Sequence, residues 1–388
     1  MKKLVIFSNE SVFSGSANTG VGETVDSLAN SLGKEYDTYV ICPDGHGVLT
    51  KFPGNMRKRG KNVRTCRVFS VTYFLVEKEQ WPLEGWQVVD EIKPDILHNF
   101  GAIDGYTFLS ERPKRMIYSF DRGETIANVE NVETHLHAYD AVRVGSEEYA
   151  RALLAQDSEL SKALAALPDF SGAKNGIGTP AYAPEKGLLV TAKYSAKDLS
   201  GKEKCKEKIC KIHGIPKGKV LFLMMCHLCK EKGADAVIEC LHTIRDHGGF
   251  TLLVGDVSEE LKSQLVGLGR EDGVLWLADR PSPLKAIPMF AAADYYLCPS
   301  EEEPGGLLPM QASRYGTIPI VSKVGALIDN FAEENAIIIE ENGIGEAIEQ
   351  AFALYANEEE KQRKQKACML QDFSWNSRKT KYTNLYEG

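Results

Sequence analysis

The sequence predicts an α/β protein made of two doubly wound domains that face a cleft. The chain has 388 residues, which exceeds one typical domain and suits two. Short apolar runs rich in β-formers alternate with helical patterns, once from residue 4 and again after about residue 215, and this alternation indicates parallel sheets. We place the domains at 1–175 and 176–372, with a C-terminal helix over 373–388 that can pack back on the first domain.

The first domain opens with a strand predicted over residues 4–7 and a glycine-rich loop over 14–22. Apolar residues at helical spacing follow, and Gly33 ends that helix. A second strand over 38–42 completes a strand–helix–strand unit. Further short buried strands are predicted at 96–98, 116–118 and 141–144.

The second domain repeats this pattern. Its predicted strands lie at 220–225, 251–254, 274–277, 295–298, 318–321 and 336–339. Two such domains in series create a cleft, and open α/β sheets bind ligands beyond the carboxyl ends of their strands. This arrangement alone fits glycosyltransferases, periplasmic-type binding proteins and several dehydrogenases.

Composition and charge exclude several classes of protein. A net charge of −8 argues against binding to nucleic acid or to anionic membrane. The N-terminal apolar run stops after four residues, too short for a signal peptide, and no run reaches the roughly 18 residues of a membrane span. Nine cysteines, an odd number, suit reduced thiols. We therefore expect a cytoplasmic protein.

The segment with the clearest chemistry is P-S-E-E-E-P-G-G-L-L-P-M-Q-A-S-R-Y-G-T-I-P over 299–319. Glu303 can accept hydrogen bonds from sugar hydroxyls. Gly305 and Gly306 permit close backbone approach, and free amides at a helix start near Leu307 attract phosphate. The alternative is a plain strand-to-helix turn with an acidic cap.

This segment resembles the donor-site motif of bacterial glycogen and starch synthases, in which a Pro-Ser strand end precedes E-P-x-G-L and a helix that ends in Y-G-T-x-P. Four other segments resemble the same family in order: N-G-I at 175–177 with P-E-K at 184–186, Y-S-A-K-D-L-S-G-K at 194–202, V-G-A-L-I-D at 324–329 and F-S-W at 373–375. The resemblance runs from about residue 140 to the end, and the N-terminal half looks divergent and shortened. It implies the GT-B fold, two Rossmann-like domains facing a cleft.

The segment M-C-H-L-C-K-E-K-G-A-D over 225–235 lies where the family has S-R-L-x-x-x-K-G-x-D, whose Arg and Lys hold the donor diphosphate. By this resemblance Lys232 is the phosphate lysine, and His227 replaces the Arg; a solvated surface lysine is the alternative for Lys232. The pair Cys226 and Cys229 also raises the possibility of zinc, with Cys205, Cys210 and His213 upstream. Zinc sites usually need two such pairs brought together, so we favour thiols without metal.

The first half departs more from the family. Asn18 replaces the lysine of K-T-G-G-L, while Gly20 and Gly22 still suit a loop against a phosphate or sugar. His98 ends a family-like P-D-I-L-H, and Ser119 stands where the family has a histidine beside the reacting sugar.

The resemblance implies a retaining glycosyltransferase that moves glucose from a nucleoside-diphosphate glucose, ADP-glucose favoured, to an α-1,4-glucan or related oligosaccharide acceptor, with no metal or other cofactor. Domain closure would exclude water. The implied catalytic residues are Lys232, Glu303 and His227. The implied donor-binding residues are Gly20, Gly22, Gly305, Gly306, Leu307 and Gln311, and the acceptor-side candidates are His98, Ser119, Asp121, Arg122 and Asn175.

Two other functions stay open. In the first half, Asn18, Ser119 and Gly101 replace the family's Lys, His and Asp, which is compatible with a GT-B transferase that uses a different donor or acceptor. The same replacements, with His227, are compatible with a catalytically impaired paralogue that binds a glucan or a nucleotide sugar. Asp121 and Arg122 either contact an acceptor or belong to a surface ion cluster.

Overall fold

The structure is a computed structural model that describes residues 1–11, 13–14, 20–45, 56–178, 182–187, 189–278, 283–341 and 343–388. Most of the predicted loop over 14–22, including Asn18, lies outside these ranges. The chain separates into two compact units. Unit 1 comprises Met1–Ile177 and Ser374–Gly388, and unit 2 comprises Gly178–Phe373.

The described residues form fifteen strands. In chain order they are β1 Lys3–Ser8, β2 Asp37–Asp44, β3 Arg57–Arg59, β4 Val63–Val68, β5 Val71–Glu77, β6 Ile96–Phe100, β7 Arg115–Ser119, β8 Ala141–Val144, β9 Phe170–Gly172, β10 Val220–Met225, β11 Gly249–Val254, β12 Val274–Leu277, β13 Tyr295–Cys298, β14 Ile318–Val321 and β15 Ile337–Ile338.

The same ranges contain sixteen α-helices. They are α1 Gly20–Leu32, α2 Leu83–Ile92, α3 Glu124–Ala127, α4 Val132–His137, α5 Glu147–Leu154, α6 Glu159–Ala165, α7 Ser200–His213, α8 Ala234–Glu239, α9 Leu241–Asp246, α10 Glu259–Leu265, α11 Pro283–Ala292, α12 Leu307–Arg314, α13 Gly325–Asn330, α14 Gly343–Ala356, α15 Glu358–Leu370 and α16 Trp375–Glu387. Across the described residues, none of these helices is both long enough and apolar enough to cross a membrane.

The described part of unit 1 contains a nine-stranded sheet in the order β3-β4-β5-β2-β1-β6-β7-β8-β9. The strands from β5 to β9 in this order run parallel, and β3 and β4 add antiparallel at one edge. In the register, Ile6 pairs with Val40 on one side and with His98 on the other. The central strand β1 is therefore covered by hydrogen-bonded neighbours on both edges.

Residues of β1 alternate between the two faces of this sheet, and both faces are buried. Val5 and Phe7 belong to one apolar cluster, whereas Leu4 and Ile6 belong to the other. Alternation with period two places successive side chains on opposite faces, so a parallel strand covered on both faces is apolar throughout. Helix α16 packs on the second face, together with α1, through Trp375, Tyr382, Leu385 and Tyr386.

The described part of unit 2 contains a six-stranded parallel sheet in the order β12-β11-β10-β13-β14-β15. Counted from the first strand of the unit, this is the order 3-2-1-4-5-6 of a dinucleotide-binding doubly wound sheet. Every residue of β10 and β11 is buried. The strand order reverses between β10 and β13, and ligands of such sheets bind outside the carboxyl ends of the strands at that point.

The two doubly wound sheets confirm the predicted fold class, and each strand predicted from the sequence has a counterpart. The strand predicted over 336–339 is shorter, at Ile337–Ile338. Strands β3, β4, β5 and β9 are not predicted from the sequence. Strands β3 and β4 carry polar and basic residues at an exposed edge, and β9 has three residues, so none of these three forms an apolar run.

Candidate functional site

The switch point of unit 2 carries a loop after each of its two strands. The loop after β10 includes a 3-10 turn, Lys230–Lys232, and the loop after β13 leads into α12. The amide of Glu301 donates to the carbonyl of Glu231 at 2.9 Å, which joins the two loops. The segments predicted to hold a donor therefore lie side by side, although about seventy residues separate them in the chain.

Gly233 allows these loops to approach each other. It follows the lysine turn with φ of +70°, and a Cβ at this position would lie 2.2 Å from the carbonyl oxygen of Pro299. A side chain fits neither the backbone conformation nor the space. The glycine that follows Lys232 is thus required for the lysine to reach the neighbouring loop.

Lys232 and Glu303 form an ion pair at this point. Lys232 Nζ donates to Glu303 Oε2 at 2.7 Å, and the two side chains are 14% and 16% exposed. Burial opposes ionisation of Glu303, but the Lys232 ammonium and the amides of Gly306 and Gly305 outweigh it, so the pKa of this carboxyl lies below its usual range. The site therefore holds a charged carboxylate that fixes a charged amine.

The start of α12 is built around the same carboxylate. The amide of Gly306 donates to Glu303 Oε1 at 3.0 Å, and Gly306 precedes the helix with φ of +64°. The amide of Ala326 donates to the carbonyl of Glu303 at 2.8 Å. Of the predicted donor residues, Gly305, Gly306 and Leu307 are buried here, while Gln311 lies inside α12 and is 1% exposed.

His227 stands beside the switch point, on the loop that follows β10. Its Nδ1 lies 3.0 Å from Asp256 Oδ2, and the two side chains are half exposed, at 50% and 39%. Asp256 belongs to the loop after β11, the other neighbour of β10. Asp256 is not among the residues predicted from the sequence. The available signal was its position directly after Gly255, which follows the predicted strand over 251–254.

The structure brings two of the acceptor-side candidates of unit 1 together. His98 is fully buried, with Nε2 2.7 Å from the hydroxyl of Ser119 and Nδ1 2.7 Å from the hydroxyl of Tyr386. Burial, with a smaller repulsion from Arg143, lowers the pKa of His98 to about 3. This histidine is neutral and both ring nitrogens are hydrogen-bonded, which describes a core residue; an acceptor contact for it stays a prediction.

The other predicted residues of unit 1 lie at separate places. Asp121 and Arg122 are half-buried on the loop after β7. The carbonyl of Asn175 accepts from Arg378 of α16, and its amide donates to Gly145 at 3.3 Å. The bond from Arg378 connects the end of the first domain with the C-terminal helix.

The glycines predicted to cover the donor begin α1. Gly20 is exposed at the first position of the helix, and Gly22 is buried, where a Cβ would meet the backbone of Ser11 at 3.2 Å. The sequence predicts a glycine-rich loop over 14–22, whereas the structure places Gly20 and Gly22 in the first turn of a helix.

No group of three or more His, Cys, Asp or Glu side chains in the described ranges is arranged to hold a metal ion. Cys226 and Cys229 are free thiols, and burial raises the pKa of both. A buried protonated thiol is a poor nucleophile and a poor metal ligand.

Comparison with known proteins shows what the chain is similar to. Residues 206–367 match the family Glycosyl transferases group 1. The chain is 30% identical over 276 residues to the glycogen synthase of Lactococcus lactis, and this match covers 64% of the chain and 55% of that relative. It is 27% identical over 285 residues to the glycogen synthase of Mannheimia succiniciproducens, covering 68% of the chain and 60% of that relative. The chain thus aligns with little more than half of the length of these two relatives.

A third glycogen synthase, from Streptococcus pneumoniae serotype 19F, is 26% identical over 492 aligned positions that cover 100% of this chain and 99% of that relative. Because this chain has 388 residues, about a hundred of those positions have no counterpart in it.

Solved structures agree on the fold. The catalytic domain of starch synthase IV from Arabidopsis thaliana, bound to ADP and acarbose, has a TM-score of 0.87 at 21% identity, over 100% of this chain and 99% of that chain. Sucrose-phosphate synthase from Thermosynechococcus elongatus has a TM-score of 0.68 at 14% identity, over 100% and 98%. Both are GT-B structures, and the chain is a divergent relative of the bacterial glycogen synthases that carries a group 1 glycosyl transferase domain.

Proposed function

We propose that this chain is a retaining glucosyltransferase that moves glucose from a nucleoside-diphosphate glucose, with ADP-glucose favoured, to an α-1,4-glucan or related oligosaccharide. The observation that carries the proposal is the Lys232–Glu303 pair, held at the carboxyl edge of the switch-point strands beside the start of α12. The glycogen synthase relatives and the ADP complex of a similar fold support the same class of donor.

The chemistry suits this arrangement. In transfer, the bond between the anomeric carbon and the diphosphate oxygen breaks, a bond forms to the acceptor hydroxyl oxygen, and the hydroxyl proton is released. Negative charge grows on the departing diphosphate, and a fixed cation stabilises it more in the transition state than in the ground state. We assign that cation to Lys232, which Glu303 orients at 2.7 Å.

A metal-free reaction is part of the proposal, because a lysine ammonium can itself neutralise charge on the leaving group. Turnover that persists after treatment with a chelator is the expected result, and its loss and restoration by a divalent cation would contradict this part. The cytoplasmic location expected from the cysteine content and the short N-terminal apolar run stays a prediction.

The decisive experiment is a thermal-shift and turnover screen of ADP-glucose and UDP-glucose with short maltooligosaccharides. We expect at least one donor to raise the melting temperature and to lose glucose to the oligosaccharide, with the product linkage retaining the α configuration. If neither donor raises the melting temperature, the proposal fails.

A second candidate is a transferase of the same fold with a different donor or acceptor. It is favoured by Ser119, which lies where a histidine is expected and hydrogen-bonds the buried His98. Turnover with another nucleotide sugar in the same screen would identify this case. A thermal shift without any turnover would instead indicate a protein that only binds its ligand.

A further inference from the structure

The loops that carry His227 and Asp256 continue the β10–β11 ladder beyond the ends of the strands. The amide of Cys226 donates to the carbonyl of Val254 at 3.1 Å. The amide of Leu228 donates to the backbone carbonyl of Asp256 at 2.8 Å, and the amide of Ser258 donates to the carbonyl of Leu228 at 2.9 Å. A parallel bridge also joins Leu228 to Val257. His227 and Asp256 are therefore placed by backbone hydrogen bonds on both loops.

Gly255 makes this pairing tight. Its φ is +136°, and a Cβ there would lie 1.9 Å from the carbonyl oxygen of Cys226. Only glycine allows this approach, and it brings Asp256, which follows Gly255, close to His227, which follows Cys226. The backbone thus brings His227 and Asp256 next to each other.

The contact determines which ring nitrogen of His227 can meet a ligand. Nδ1 lies 3.0 Å from Asp256 Oδ2, so this edge of the ring faces the carboxylate. The ring geometry directs Nε2 away from the carboxylate, and half of the side chain is exposed. Nε2 is therefore the ring nitrogen that can contact a ligand.

We propose that Asp256 is a positioning residue that holds His227 in the orientation needed to bind the diphosphate of the donor, a role that rests on the proposed function above. His227 would then contact the diphosphate from the same loop after β10 that carries Lys232.

The test compares a ligand that has the diphosphate with one that lacks it. Calorimetric or competition titrations of ADP and adenosine, repeated with UDP and uridine, are made on the full chain and on His227→Gln, Asp256→Asn and the double variant. Glu260→Gln is the matched control, because Glu260 is a neighbouring exposed carboxylate that pairs with Lys230 at 3.5 Å.

We expect each single variant to weaken binding of the nucleoside diphosphate about tenfold, which is the loss of one hydrogen bond to a charged group. Nucleoside binding stays unchanged, since it does not involve the pair. The double variant binds no more weakly than His227→Gln, because Asp256 acts through the histidine. Glu260→Gln behaves as the wild type.

Three results overturn the inference. In the first, Asp256→Asn binds ADP and UDP as the wild type does while Lys232→Ala does not, which leaves the proposed function standing. In the second, diphosphate and nucleoside affinities fall together with the melting temperature, which indicates a structural role only. In the third, the wild type binds neither diphosphate, and the proposed function fails with the inference.

Discussion

The Nδ1 atom of His98 lies 2.7 Å from the hydroxyl of Tyr386, 288 residues later in the chain. His98 is on β6 in the middle of the unit 1 sheet, and Tyr386 is on α16, which ends the chain. Both side chains are buried. The last helix thus contributes a polar contact, as well as apolar surface, to the core of the first domain.

The buried His98 predicts acid sensitivity. Its pKa is about 3 in the folded chain and near 6.5 when unfolded. Between these values the unfolded state binds a proton that the folded state excludes, so stability is present above pH 6.5 and is lost as the pH falls toward 3, by up to ~1.4 kcal/mol per pH unit. Urea unfolding between pH 4 and 7 measures the slope. We expect His98→Gln to reduce this slope by the contribution of about one bound proton. The exposed His242→Gln should leave the slope unchanged.

Removing the Tyr386 hydroxyl tests the same contact while leaving the histidine in place. Tyr386→Phe leaves the buried Nδ1 of His98 without its partner, so we expect a loss of about 1–3 kcal/mol in the free energy of unfolding. Asn384→Ala, on the exposed side of α16, is the control and should cost nothing. Equal stability of the two variants would show that the hydrogen bond contributes little.

The Lys232–Glu303 pair predicts separate effects on activity and on stability. We expect Lys232→Ala and Glu303→Ala each to lower turnover by about 10²–10³-fold, while the fold survives. Each single change leaves one mostly buried charge unpaired and costs about 2 kcal/mol. Lys232→Met with Glu303→Gln removes both charges, so it should recover stability and not turnover. Unchanged turnover in either alanine variant refutes the role of that residue.

Gly233 and Gly248 separate backbone strain from close packing. Both have positive φ, +70° and +85°, so alanine costs about 1 kcal/mol at each. At Gly248 nothing lies within 4 Å of the added Cβ, whereas at Gly233 the carbonyl of Pro299 is 2.2 Å away. We expect Gly233→Ala to lose at least twice as much stability as Gly248→Ala, and to weaken ADP or UDP binding because Lys232 moves. Thermal unfolding and titration of both variants measure this, and matching losses would contradict it.

Local patterns in the sequence determined the elements on which the fold is built. The apolar runs over 220–225 and 295–298 predicted β10 and β13, and the acidic, glycine-rich segment that follows residue 298 predicted the start of α12 beside Glu303. These features depend on burial and on the backbone conformation of neighbouring residues, so local sequence patterns predict them. The edge strand β3 and its neighbour β4 carry polar residues, so no apolar pattern predicts them.

The tertiary structure alone decided which side chains meet. The sequence selected Lys232 and Glu303 for separate reasons, and the order of the sheet made them an ion pair. Asp256 lies beside His227 because β11 is adjacent to β10. His98 is a core residue because α16 packs in unit 1. Partners of this kind are set by strand order and helix packing between distant segments, and no periodicity within either segment specifies them.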